Sequence, residues 1–274
     1  MNQRFTPLAA ALLAAFSVPL AMQSSAFAQT TQSDTTLPEV TVQGSKELTY
    51  NPTTATSATK IEAPLRDIPQ TVNVVPQALM RDKAVRSMED AIKSIPGIGL
   101  SHGDGQRDQV TIRGFSALGD QFVDGMRDDA MYFRDMSNVE QVEVIKGPAS
   151  VLYGRGSSGG LINRITKKPG IDKNEVMLQV GSWNQRRGEF DFARNDEESG
   201  IAFRITGALE GANSYRDQQF LDRQALSPSL LIKLSSDTKL LLQADYLSDR
   251  RVTDFGIPAS VSYTHLTLPT TPYV

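Results

Sequence analysis

Histidine and cysteine, the side chains that most often hold metals or attack substrates, are almost absent: the 274-residue chain contains His102, His265 and no cysteine. That removes thiol catalysis, Cys-ligated zinc, iron–sulfur clusters, disulfide scaffolds and lipoprotein anchoring, and leaves a Ser–His–Asp engine little to work with. No nucleophile–base pair or metal-ligand cluster stands out, so the chain reads as a protein that is not an enzyme and carries no cofactor. One chemistry-bearing spacing remains. Gly154-Arg155-Gly156-Ser157-Ser158-Gly159 satisfies G-x-G-x-x-G, the turn that cradles a dinucleotide pyrophosphate. That use requires a strand before the glycines and a helix opening after them. Here Leu161–Thr166 reads as a strand that Pro169-Gly170 ends, so turn geometry accounts for the glycines better.

The charge balance, 28 Lys+Arg against 31 Asp+Glu, calls for no nucleic-acid partner. No run of about 20 apolar residues occurs beyond the N-terminus, which excludes a helical membrane protein. Residues 1–28 read as an export signal: Arg4, the uncharged stretch Leu8–Ala21, then Ala26-Phe27-Ala28 as a small-x-small cleavage site. Residues 29–60 are rich in Thr, Ser, Gln, Ala and Pro and bury too little apolar surface to offset chain entropy, so a flexible tail is expected there. Leu37-Pro38-Glu39-Val40-Thr41-Val42 interrupts it with a strand-like alternation. Such a segment is either a strand awaiting a partner chain or an edge strand of the domain that follows.

Two folded units are expected. In residues 61–170, Pro76 opens a short helix, Ser87-Met88-Glu89-Asp90 resembles a capping box, and Val85, Met88, Ile92 and Ile95 follow at helical spacing up to Pro96-Gly97. Strand-like pieces come next, at Gln109–Arg113, Gln121–Val123, Val139–Ile145 and Leu161–Thr166. Between Gly97 and Gly160 lie 12 of the 20 glycines, which implies tight turns and close backbone contacts and not a simple helix bundle. Residues 171–260 differ. Val176–Val180, Phe190–Phe192, Ile201–Leu209, Leu226–Leu234 and Leu240–Tyr246 alternate apolar with polar or small residues, the period of transmembrane barrel strands. A soluble sandwich also alternates, over shorter strands. Short turns at Asn195–Gly200 and Ser235–Asp237 against a longer loop at Ala212–Gln224 favour an antiparallel β-barrel, of which five strands are counted.

Thr111-Ile112-Arg113-Gly114-Phe115, Val123-Asp124-Gly125, Val142-Glu143-Val144-Ile145-Lys146-Gly147-Pro148, Leu152-Tyr153-Gly154 and Gly159-Gly160-Leu161-Ile162-Asn163 are similar, in order and spacing, to the plug of TonB-dependent outer-membrane receptors for ferric siderophores. The resemblance runs from about residue 37 to 258. It implies a TonB box near 38–44, carried by Pro38, Glu39, Val40, Thr41 and Val42, an α+β plug with a small mixed sheet and short helices over 61–170, and the first barrel strands over 171–260. It further implies import of a ferric siderophore across the outer membrane, with the plug and tail facing the periplasm, TonB energised by ExbB–ExbD as partner, and outer-membrane lipid around the wall. The ligand is then expected at the loops Ser101–Asp108, Ser116–Asp120 and Met126–Asp135. There Arg107, Arg127 and Arg134 would offset its negative charge, with Tyr132 and Phe133 packing on its aromatic parts. Tyr132-Phe133-Arg134-Asp135 resembles catecholate-type receptors. Solvated loop residues or plug–barrel ion pairs are the plainer account of each of these side chains. A receptor for adhesion or docking without transport is the alternative function, and the box argues against it.

The chain departs from the family pattern at both ends. Eight residues, 29–36, precede the box, which leaves no room for an N-terminal signalling domain after the signal peptide. Five strands fall short of the roughly eight that the smallest outer-membrane barrels need. Residues 261–274 contain no Asp, Glu, Lys or Arg and break the strand pattern, so a fragment with a non-native tail is expected.

Overall fold

The computed structural model describes residues 50–254, apart from 102–104, 106 and 157. The signal stretch 1–28, the box at 38–44, His102, His265 and the segment 261–274 lie outside the described residues.

The first unit is built from β1 (Thr54–Ala55), β2 (Ala63–Pro64), β3 (Thr71–Pro76), α1 (Gln77–Asp82), α2 (Met88–Ile92), β4 (Ile98–Ser101), β5 (Gln109–Ile112), β6 (Phe115–Ser116), β7 (Gln121–Val123), β8 (Met126–Arg127), β9 (Val139–Lys146), α3 (Ser150–Tyr153) and β10 (Gly160–Thr166). Its main sheet has the order β3-β9-β10-β7-β8, with β10 parallel to β7 and the other neighbours antiparallel. Alternation along β9 divides the core. Val142 and Val144 face a cluster with Met88, Ile92, Ile112 and Ile162. Ile145 faces a second cluster with Ala55, Ala58, Ile68, Phe122 and Leu161.

The capping box forms with a twist of chemistry. The Asp90 N–H donates to Ser87 Oγ at 3.2 Å, while the shorter Asp90 side chain reaches the Ser87 hydroxyl at 3.1 Å and the Arg86 N–H at 3.4 Å. Gly97, at φ +78°, ends the helical region as Pro96-Gly97 implied. The glycines 154–159 follow the short α3 and precede β10, the reverse of the strand–turn–helix order that a dinucleotide needs. Gly160 lies so close to the Ile145 carbonyl oxygen that a Cβ there would sit 1.9 Å from it, which explains the glycine as close backbone approach.

Two sequence expectations change here. Residues 54–58, assigned to the flexible tail, are docked on the sheet: β1 pairs with β2, and Ala55 and Ser57 are buried. Their small polar composition concealed this, because what orders them is a distant partner, Glu143. Strand β3 was not seen at all, since Pro76 ends it and only Val72, Val74 and Val75 supply apolar signal.

The second unit comprises β11 (Lys173–Gly181), β12 (Gln185–Asp196), β13 (Ile201–Asn213), β14 (Phe220–Lys233), β15 (Lys239–Gln243) and β16 (Tyr246–Arg251), in one antiparallel sheet. Both β15 and β16 pair with β14, and the register is continuous across the gap, with Ser229 opposite Gln243 and Leu226 opposite Tyr246. The break lies at Pro228, which lacks an N–H: Ala244 donates to its carbonyl at 3.1 Å and gets no bond in return. Physically these are five strands, the number expected. The length asymmetry of the connections is weaker than expected, because β13 runs to Asn213 and β14 starts at Phe220. Small and charged inward residues such as Ala212 and Arg223 carry those ends, where an apolar count finds nothing.

Burial settles which face is which. Leu178 is 79% exposed and Val180 86%, whereas Arg187 is 2% exposed and Arg204 3%. A soluble sandwich would bury the first pair and expose the second. The apolar row faces out and the charged row faces the first unit, the inside-out arrangement of a barrel wall in lipid. Across the outward face Phe190 covers Gly207, where a Cβ would come within 2.5 Å of the ring. No helix among the described residues is long and apolar enough to cross a membrane.

Candidate functional site

The inward row of the wall and the β8–β9 connection of the first unit, residues 128–138, form the polar interface on which function would rest. Asp135 is its centre. It accepts two hydrogen bonds from Arg187, at 2.8 and 3.1 Å, one from Arg223 at 3.3 Å, and the Ser137 N–H at 2.8 Å. Burial works to raise its carboxyl pKa, but Arg187 and Arg223 outweigh that and hold it at about 2. The arginines are balanced in turn. Arg187 pairs with Glu210 at 2.8 Å, Glu210 with Arg86 at 3.1 Å, and Arg223 with Asp249 at 2.8 Å.

A second set lies further along the wall. Asp191 takes both forks of Arg204 at 2.8 Å, with Lys173 at 3.0 Å and Lys167 at 3.3 Å. Arg204 also donates to the Lys168 carbonyl at 3.0 Å, and Asn138 bridges Thr206 at 3.2 Å and Asp245 at 2.8 Å. These contacts between the two units are ion pairs and hydrogen bonds. Such an interface specifies position: its groups are rehydrated together when the units separate, whereas breaking one pair alone strands a buried charge.

The five ligand candidates are not equivalent. Arg134 is 1% exposed and turned inward: Nε meets Asp128 at 3.1 Å, while Nη2 donates to the carbonyls of Asp128 at 3.0 Å and Ala130 at 2.9 Å. It fixes the shape of its loop. Its backbone N–H also donates to Asp108 at 2.9 Å, and burial there raises the Asp108 pKa against the pull of Arg134. Tyr132 donates to Asp128 at 2.9 Å and lies under the Arg134 guanidinium at 4.4 Å. Phe133 carries Arg251 over its ring at 3.8 Å. Arg107 is half-buried, with Met131 Sδ 3.4 Å from Nη1. Arg127 is exposed and donates to the carbonyls of Gly119, Arg155 and Tyr153. It lines an open concavity of about 730 Å³ with Ser116, Asp120, Asp129 and Arg155. Tyr132, Phe133 and Arg134 thus share one loop, and Arg127 lies at its start. No cluster of three or more metal-ligating side chains occurs among the described residues.

Sequence reasoning did not single out Asp135, Arg187, Asp191 or Arg223. The available signal was charge placed in phase with the polar side of an alternating strand.

A small mixed-sheet domain held by buried ion pairs against the polar face of an outward-apolar sheet defines a plugged outer-membrane β-barrel protein. The family model described as TonB-dependent Receptor Plug Domain matches residues 64–161. The probable TonB-dependent receptor BfrD of Bordetella pertussis is 37% identical over 92% of this chain and 34% of its own length. The closed form of the ferric-catecholate import receptor Fiu of E. coli K12 superposes with a TM-score of 0.71 at 30% identity, covering 76% of this chain and 30% of that one. The pyoverdine outer-membrane receptor FpvA of Pseudomonas aeruginosa PAO1, bound to pyoverdine, superposes with a TM-score of 0.69 at 31% identity over 74% and 31%. The chain belongs to the TonB-dependent outer-membrane receptor family. It spans about a third of the length of the relatives it matches.

Proposed function

We propose that this plug and wall serve a receptor that imports a ferric siderophore across the outer membrane, driven by TonB. The observation that carries the reading is the plug–wall interface centred on Asp135. A domain that blocks a pore and must also move is served by ion pairs that water can replace, whereas a buried apolar contact would resist separation. The names of the matched relatives support a siderophore as cargo, and that of Fiu supports a ferric catecholate as the first ligand to try. In this reading iron is cargo and no resident cofactor or catalytic step is assigned. Arg107 and Arg127 meet the ligand's charge, Tyr132 and Phe133 its rings, and Arg134 holds their loop in shape. Pro38–Val42 pairs with TonB, which ExbB–ExbD energises, from the periplasmic side where the plug and tail face.

The test is uptake of a radiolabelled ferric catecholate by cells with and without TonB. Accumulation only with TonB, together with surface binding in both strains, supports the reading. Binding without TonB-dependent accumulation would favour a docking receptor instead.

A further inference from the structure

Two arginines line the open concavity of about 730 Å³, and the fold uses them differently. The Arg127 guanidinium lies over the Phe122 ring at 5.0 Å, with Asp120 at 3.7 Å. Three of the five donors of a guanidinium are taken up here by the carbonyls of Gly119, Tyr153 and Arg155, which joins the loop 116–120 to the turn after α3. Arg155 is the reverse case. Its carbonyl is held by Arg127, its side chain is exposed, and no hydrogen bond or ion pair to its guanidinium occurs among the described residues. The flanking glycines explain this display. Gly154 sits at φ +71°, and a Cβ on Gly156 would lie 2.7 Å from Asp120 Oδ1. The turn presses against the 116–120 loop through glycines, and Arg155 is the side chain it presents between them.

We propose that Arg155 is the residue that reads the negative charge of the cargo, donating directly to its oxygens, and that Arg127 positions it. This rests on the siderophore reading above. A ferric catecholate is an anion whose oxygens accept hydrogen bonds, and a guanidinium fork matches them. An unpaired, exposed guanidinium gives up only water when such a ligand arrives. Arg127 and Arg134 would first have to break the bonds that shape their loops, so Arg127 adds charge from behind the turn. Tyr153 is committed in the same way: its hydroxyl donates to the Ser57 carbonyl at 2.8 Å, and Lys60 lies over its ring at 3.7 Å. One acid opposes Arg155. Asp129 lines the same concavity, is exposed, and has no ion-pair partner among the described residues. The cation favours anionic cargo and the acid disfavours it, so the two together set how anionic the cargo must be. The G-x-G-x-x-G spacing thus displays an anion-reading side chain, where the dinucleotide fold would place a helix terminus.

Equilibrium binding of a ferric catecholate to the whole receptor in detergent tests this. Arg155→Gln should raise Kd about tenfold and Asp129→Asn should lower it about threefold, with the unfolding temperature unchanged in both. Arg155→Lys keeps the charge and loses the fork, so its Kd should fall between wild type and Arg155→Gln. Arg127→Gln should lower the unfolding temperature as well as the affinity, because it parts the two loops. The deficit of Arg155→Gln should shrink as ionic strength rises. Equal Kd for wild type and Arg155→Gln would overturn the proposal. So would weakening by Arg155→Gln and Asp129→Asn alike, which would mark a disturbed loop and no reading of charge. A wild type that binds ferric citrate and no ferric catecholate would remove the catecholate reading alone, and the same variants against ferric citrate then decide Arg155. Binding of neither chelate would overturn both.

Discussion

Asp135 of the plug and Arg187 of the wall meet through two hydrogen bonds, at 2.8 and 3.1 Å, with the Arg187 side chain wholly buried and that of Asp135 5% exposed. Neither can leave without stranding the other among further charges. Asp135→Asn keeps the shape but leaves Arg187 and Arg223 with one fewer anion. Removing one partner of a buried pair is expected to lower stability by about 3 kcal/mol. Thermal unfolding of the purified protein checks this, and a loss below about 0.5 kcal/mol would mean that the pair is rehydrated in solution.

Acid should act on the same carboxylate. Its pKa is depressed to about 2 in the folded state, so its stabilisation is present above the ordinary aspartate value and is lost as pH falls from about 4 to about 2. Asp108 acts in the opposite sense, since its raised pKa makes folding take up a proton as pH falls. Stability against pH, measured for the wild type and Asp135→Asn, should fall less steeply between about pH 4 and 2 in the variant, in which Asp90, lowered by Lys93 and Ser87, still contributes an acid-labile part.

The direction of the strands can be read with single thiols. If β11 runs outward from the plug's periplasmic end, Asn213 lies outside the cell and Asp196 in the periplasm. Asn213→Cys should then react with an impermeant maleimide on whole cells, and Asp196→Cys should react only after lysis. Equal labelling would refute that topology.

Coupling is tested at the box. Val40→Pro removes a backbone N–H that strand pairing with TonB would use and leaves the plug untouched. Ligand binding should be retained while uptake stops; uptake at the normal rate would place the TonB contact elsewhere.

The outward face has its own weak point. At Gly207 a side chain would meet the Phe190 ring within 2.5 Å and the Ala225 carbonyl within 2.9 Å. Gly207→Leu should disturb strand pairing between β13 and its neighbours, and the protein should incorporate poorly into the outer-membrane fraction relative to wild type. Gly211→Ala, a change in open space on the same strand, should be nearly neutral.

How much of this could be read without coordinates differs from element to element. The rows Ile201–Leu209 and Leu240–Tyr246 were legible because a strand between lipid and protein repeats its apolar residue every second position. The docking of residues 54–58 was not legible: Thr56 and Ser57 resemble tail sequence, and their partner Glu143 lies 86 residues from Ser57. Arg134 looked like a ligand contact because it is cationic and sits in a loop, whereas Asp108 and Asp128 turn it inward. A single sequence shows that Arg187 belongs to a polar row. It does not show that Asp135 is what the row meets.

Pro228 gives the wall a property that its neighbouring strands lack. An antiparallel ladder normally joins its hydrogen-bonded pairs by two bonds each, and here the pair Pro228–Ala244 holds by one bond only. Directly beside that gap, Asp245 receives the amide of Asn138 from the plug. The plug is thus tethered to the wall one residue from the pair that has lost a bond, so the wall's missing hydrogen bond and one of its side-chain bonds to the plug share a single place.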